Sequence, residues 1–270
     1  MHTSKLKIPS YLLKNPFIDV KWDVSDKPIL LLDDKLIPIN NLNKRVKGEV
    51  AYIVGINQKT IGKIFEYLDA KIIQFYEMKV DNIVDISKFT NIEELSIQWN
   101  DKLVDIAPIQ YLTNLKILVL IDTPKINDLT PLSKLKKIKK LSFSGGMNIK
   151  NVANSLLPLS ELASLEFIQL HNLKVNVGGI KPLSKLTNLK EIDVSNQFPT
   201  EEYAYLSTVL ISTYCKCFAP YVDMGHYSIA GKNIMVTGAR KPFLNRNNDR
   251  LKLDKYVRNF EILRARYLGR

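Results

Sequence analysis

The sequence predicts an α/β repeat solenoid: a stack of short units, each a short strand followed by a turn and a compact returning segment. Three observations predict it. A leucine-bearing motif returns about every 23 residues through the middle of the chain, each copy contains a short alternating segment, and stretches of different pattern flank the array on both sides.

The copies run IEELSIQWNDKLVDIAPIQYLTN from Ile92, LKILVLIDTPKINDLTPLSKLKK from Leu115, IKKLSFSGGMNIKNVANSLLPLSELAS from Ile138 and LEFIQLHNLKVNVGGIKPLSKLTN from Leu165. A half copy, LKEIDVSN, follows from Leu189, and the longer third copy places an insertion near 154–157. Upstream, IIQFYEMKVDNIVDISKFTN is a shortened copy, and EVAYIVGI reads as a more degenerate strand.

One unit buries little by itself. Stacked units align Leu95, Leu118, Leu141 and Ile168 in one column, and Ile97, Leu120, Phe143, Leu170 and Val194 in another, so neighbours supply the core. Asp105 and Asp128 precede the returning segment, where a carboxylate accepts the free amides of a short helical turn. Pro108, Pro131, Pro158 and Pro182 follow, where a missing N–H costs little.

The pattern LxxLxLxxxxxIxDLxPLxxLTNL resembles the leucine-rich-repeat family, in particular its bacterial internalin-like short-repeat class, over roughly residues 72–196. The resemblance implies a curved solenoid whose parallel strands line a concave face and whose convex side is irregular, with a protein-binding role. The family's asparagine position reads Asn100, Thr123, Gly146, Leu173 and Gln197, so most turns must satisfy their backbone groups in another way.

Three regions follow: a β-rich cap over 1–60, repeats over 61–199 and a C-terminal cap over 200–270. In the first, FIDVKW reads as a strand and PILLLDDKLIPI as a hairpin turning at Asp33, Asp34 and Lys35. In the last, TEEYAYLSTVLIS predicts a helix capped by Thr200, and HYSIAGKNIMVTGARKPFL a strand pair. A terminal amphipathic helix carries Leu253, Val257, Phe260, Leu263 and Tyr267 on one face, with Asn248 as its cap.

No local motif argues for catalysis, a cofactor or a metal. GHYSIAGKN has five residues between its glycines and Asn where a phosphate loop needs a hydroxyl. Cys215 and Cys217 lack a second pair to complete a zinc tetrahedron and read as small core residues. With no signal-peptide core and no apolar run long enough for a membrane span, the expected protein is cytoplasmic.

Recognition remains. Side chains between the core leucines point to the concave side, and Gln98, Trp99, Ile117, Val119, Ile121, Phe167 and His171 form the expected solvent-facing contact surface for a protein partner. The alternative uses the basic end: eleven bases against three acids between Lys232 and Arg270 supply +8 of the total +12. Arg250, Lys255, Arg258 and Arg264 on the last helix would then meet a nucleic acid or an acidic partner.

Overall fold

The structure, a computed structural model, describes residues 7–13 and 28–269. Its centre is a nine-stranded sheet among the described residues. Seven strands run parallel, in the order Val50–Val54, Ile72–Tyr76, Glu94–Gln98, Ile117–Ile121, Lys140–Ser144, Phe167–Leu170 and Glu191–Val194. The degenerate strand EVAYIVGI is therefore a full rung. The expected hairpin also forms, Ile29–Leu32 with Lys35–Pro38, and the first of these strands lies antiparallel to Val50–Val54. It covers the open end of the stack. The expected strand at FIDVKW lies outside the described residues.

The register matches the predicted columns. Leu95 pairs with Leu118, Leu118 with Leu141, and Leu141 with Ile168, while Ile97 pairs with Leu120 and Leu120 with Phe143. All of these side chains are buried in one continuous cluster that reaches from Leu30 to Phe260. Such continuity follows from stacking, because each rung's inward face is completed by the next.

The chain returns through one-turn 3-10 helices at Val84–Lys88, Ala107–Tyr111, Thr130–Lys134, Leu157–Glu161 and Lys181–Lys185. The expected carboxylate caps are present: Asp105 Oδ1 accepts the Ala107 amide at 2.7 Å, and Asp128 Oδ1 accepts that of Thr130 at 2.8 Å. Asn82 and Ser155 take the same place on two other rungs, accepting the Val84 amide at 2.8 Å and the Leu157 amide at 3.1 Å. That equivalence moves the insertion. Because Ser155 stands in register with Asp128, the extra residues of the third copy lie in the loop 145–150 and not near 154–157. Beyond this loop Asn151–Ser155 forms a parallel pair with Leu173–Val177.

The C-terminal region closes the other end. Helix α2, Thr200–Val209, which follows the short α1, Ile61–Tyr67, starts at Thr200 itself with Pro199 as N-cap residue, so the expected Thr200 cap is not made. Its hydroxyl instead donates to the Thr237 carbonyl at 2.8 Å, tying α2 to the expected strand pair. That pair is part of a three-stranded antiparallel sheet, Tyr221–Asp223, Ile234–Val236 and Phe243–Leu244. The last long helix, Arg250–Tyr267, has Asp249 and not Asn248 at its N-cap, and the Asp249 carboxylate accepts the Asn245 amide at 2.8 Å. Leu253 packs with Ile234, Val236 and Leu244 on the small sheet, while Phe260 enters the main core. Tyr267 meets Tyr205 of α2 at 5.0 Å between ring centres. Cys215 and Cys217 are buried in the main cluster without a bridge, as small core residues.

Candidate functional site

Alternation along each strand sends one set of side chains to the core and the other to the concave face. The concave face has two chemistries. On the later rungs it is a polar network: Ser142 Oγ donates to Gln169 Oε1 at 2.9 Å, Gln169 Nε2 donates to Asp193 Oδ2 at 3.1 Å, and His171 Nε2 lies 3.0 Å from Asp193 Oδ1. Burial raises the Asp193 carboxyl, but the His171 and Gln169 hydrogen bonds overcome this and bring it down to about 2. A depressed carboxylate stabilises the fold above its unfolded value, near 3.9, and loses that contribution as pH falls toward 2. The stability difference between the native chain and Asp193→Asn should therefore shrink by about 2 kcal/mol between pH 6 and pH 2, read by urea unfolding.

Between them Ile117 and Val119 of one rung and Phe167 two rungs on make an apolar centre, and they are covered. Residues 7–13 lie across them, with one 3-10 turn at Ser10–Leu12. Ile8 and Leu12 pack with Ile117, Val119 and Phe167 in a cluster separate from the main core, and Ile72 and Ile121 border it. Polar anchors fix the placement. The Leu12 carbonyl accepts from Gln98 Nε2 at 2.6 Å and Ser96 Oγ at 3.1 Å, Tyr11 donates to Glu94 at 2.6 Å, and Lys140 Nζ donates to the Lys7 carbonyl at 3.0 Å. Burial first, and then the Glu94 carboxylate, hold the Tyr11 phenol above its ordinary range and keep it a donor. Burying two such aliphatic side chains gains about 3 to 6 kcal/mol, which the entropy of ordering the backbone largely offsets.

This cover corrects an expectation. Gln98, Ile117, Val119 and Phe167 occupy the concave face as predicted but are buried, because Ile8 and Leu12 take the place of solvent. The signal in the sequence was only that Ile8 and Leu12 stand four residues apart.

Trp99 belongs to the rim. It follows the strand Glu94–Gln98 with φ of 59°, a left-handed conformation shared by Glu77 and Asp122 at the ends of the flanking strands. Those residues swing out of the sheet, so Trp99 is 51% exposed and stacks on Tyr76 with ring centres 5.0 Å apart. Together with Glu77, Asp101, Asp122 and Ile149 it lines a recess of about 690 Å3. Burial, and the Asp101 charge beside it, raise the Asp122 carboxyl. The predicted surface thus divides into a covered apolar centre and an open rim holding Trp99 and His171.

Past the rim the turns show how the missing asparagines are replaced. Asn100 is buried, donates to the Val80 carbonyl of the preceding rung at 2.9 Å and accepts the Leu103 amide at 3.1 Å. One rung later Thr123 stands in that place, and Asn151 reaches back from the rung beyond so that its Oδ1 accepts the Thr123 amide at 3.0 Å, while on a later turn Gln197 Oε1 accepts the Leu173 amide at 3.2 Å. Parallel rungs, one-turn returns and this buried side-chain ladder decide the architecture. The fold is a leucine-rich-repeat solenoid.

On this repeat solenoid the basic residues of the last helix sit far along the chain from the concave strands. Arg250, Lys255 and Arg258 are exposed, whereas Arg264 is half-buried and pairs with Glu261 at 3.2 Å. The loop GHYSIAGKN is exposed and turns through Ala230 and Gly231, both at positive φ, with Ile229 and Lys232 bridged across it. Among the described residues no group of three His, Cys, Asp or Glu is placed to hold a metal, and no helix is long and apolar enough to cross a membrane.

No family model matches the chain, and no curated protein matches it in sequence. Among solved structures it is similar to internalin C2 of Listeria monocytogenes at 20% identity and a TM-score of 0.47, over 60% of this chain and 68% of that one. An internalin F of the same organism gives 17% identity and 0.43, over 67% and 62%. A leucine-rich-repeat protein of Leptospira interrogans gives 21% identity and 0.43, over 57% and 43%. The chain spans about two thirds of the two internalins and under half of the third protein.

Proposed function

We propose that this repeat solenoid is a non-catalytic binding module that receives a protein partner on its concave side. One observation carries the reading: the apolar centre of that side buries a stretch of polypeptide, residues 7–13, through both aliphatic contacts and hydrogen bonds to a main-chain carbonyl. A face that recognises backbone and aliphatic side chains together has the chemistry of a peptide receptor. The rim adds an aromatic residue, Trp99, of the type that anchors interfaces, beside the carboxylates of Asp101 and Asp122.

The test is affinity capture with the full chain against the variant Trp99→Ala plus Ile121→Ser. If Trp99 anchors the partner, Trp99→Ala alone should weaken binding by roughly 2 kcal/mol, measured by calorimetry on a captured protein. Its thermal unfolding should move little, since the half-exposed ring contributes about 1 kcal/mol or less through Tyr76. Capture that survives both substitutions, yet falls with salt and with Arg258→Gln, would move the site to the basic helix and support the nucleic-acid or acidic-partner reading instead.

A further inference from the structure

We infer that the concave centre is a site for a short apolar peptide turn, and that residues 7–13 hold it in cis as a built-in competitor. The inference rests on the protein-binding reading and specifies its ligand. The seated segment displays the chemistry required: aliphatic side chains at Ile8 and Leu12, four residues apart, the first just ahead of the 3-10 turn Ser10–Leu12 and the second within it; a proline, Pro9, at the N-cap of that turn; and a carbonyl at Leu12 facing two donors.

Each feature selects. Ser96 and Gln98 are buried donors, and although Gln98 Nε2 also donates to Ser96 Oγ at 3.0 Å, an occupant that failed to present an acceptor would strip one hydrogen bond from each. Glu94 accepts the Tyr11 hydroxyl, which favours a donor one position before the second aliphatic residue. Ile117 and Val119 share one strand and Phe167 lies two strands along, and together they form a floor broad enough for both aliphatic side chains.

The segment is also separable. Its cluster does not join the main core, so the solenoid's packing does not depend on it. Only fourteen residues connect Leu13 to Pro28, and a short tether gives an effective concentration on the order of millimolar. An external peptide must outcompete that local concentration, and its apparent affinity falls by the fraction of chains in which the groove is open. A partner with more contacts, reaching the Trp99 rim as well, has the means to displace the segment.

The experiment uses the full chain and a fluorescent peptide of residues 7–13, KIPSYLL. The double variant Ile8→Asp plus Leu12→Asp releases the internal segment, and the peptide should bind it at least about tenfold more tightly than it binds the native chain. A peptide carrying Leu12→Asp should not bind either. Leu12→Ala in the full chain, which introduces no charge, should give an intermediate affinity, and circular dichroism should show both variants folded. Equal binding to native and double-variant chains, or none to a folded double variant, overturns the inference. A concentration-dependent native dimer that the double variant abolishes would place the segment on a second copy and overturn the cis assignment. A protein partner retained equally by both chains, with no peptide binding, would leave the protein-binding reading standing while this one falls.

Discussion

Replacing Leu120 by alanine in the central rung is expected to lower the unfolding free energy by about 2 to 5 kcal/mol. Leu120 is fully buried, stands between Ile97 and Phe143 on the adjacent strands, and belongs to the single cluster running through the stack. Its removal costs the transfer of the lost methyl groups and a cavity that two flanking rungs cannot both close. Lys116 on the same rung provides the comparison. Its ammonium pairs with Glu93 at 2.6 Å but remains about half exposed, so Lys116→Ala should cost about 1 kcal/mol or less. The check is urea unfolding of both variants. Equal midpoints would mean that the column assignment is wrong, whereas a large shift for Leu120→Ala alone fits cooperative stacking.

That contrast shows which parts of the structure the sequence carried. The columns through Leu118 and Leu120 were legible because a stacked rung must repeat its inward spacing, and repetition survives substitution of one aliphatic residue by another. The caps at Asp105 and Asp128 were legible for a similar reason, since the amides they accept are two residues away. Trp99 was harder. Gln98 and Trp99 are neighbours in sequence and cannot both face one side of a strand, but the left-handed backbone at Trp99 that takes it to the rim has no glycine to announce it. The cover over the concave centre left the weakest trace. Ile8 and Leu12 meet residues more than a hundred positions away, and so short a segment has no period of its own from which to infer them. The apolar character of Ile117 and Val119 on the outward side was the visible half of that contact.

The asparagine ladder supplies the second large effect, and it includes a residue outside the family's spacing. Asn151 is fully buried, with Oδ1 accepting the Thr123 amide at 3.0 Å and Nδ2 donating to Thr123 Oγ1 at 3.2 Å. It lies beyond the loop 145–150, so the longer third copy delivers to the Thr123 turn the amide that this turn lacks in its own sequence. Asn151→Ala would leave the Thr123 amide and hydroxyl buried with those partners gone, and each such loss costs about 1 to 3 kcal/mol. The expected destabilisation is about 2 to 4 kcal/mol, similar to that of Asn100→Ala, which strips the Val80 carbonyl and the Leu103 amide of their partner. Asn172→Ala should cost less, because the Gly146 and Ile149 carbonyls that its amide serves lie next to an exposed loop where water can replace it. Denaturant midpoints for the three variants decide the order. An Asn151→Ala chain as stable as the native one would show that the third copy's extra residues are a tolerated loop, whereas a loss matching Asn100→Ala makes them the means by which an irregular rung keeps its turn satisfied.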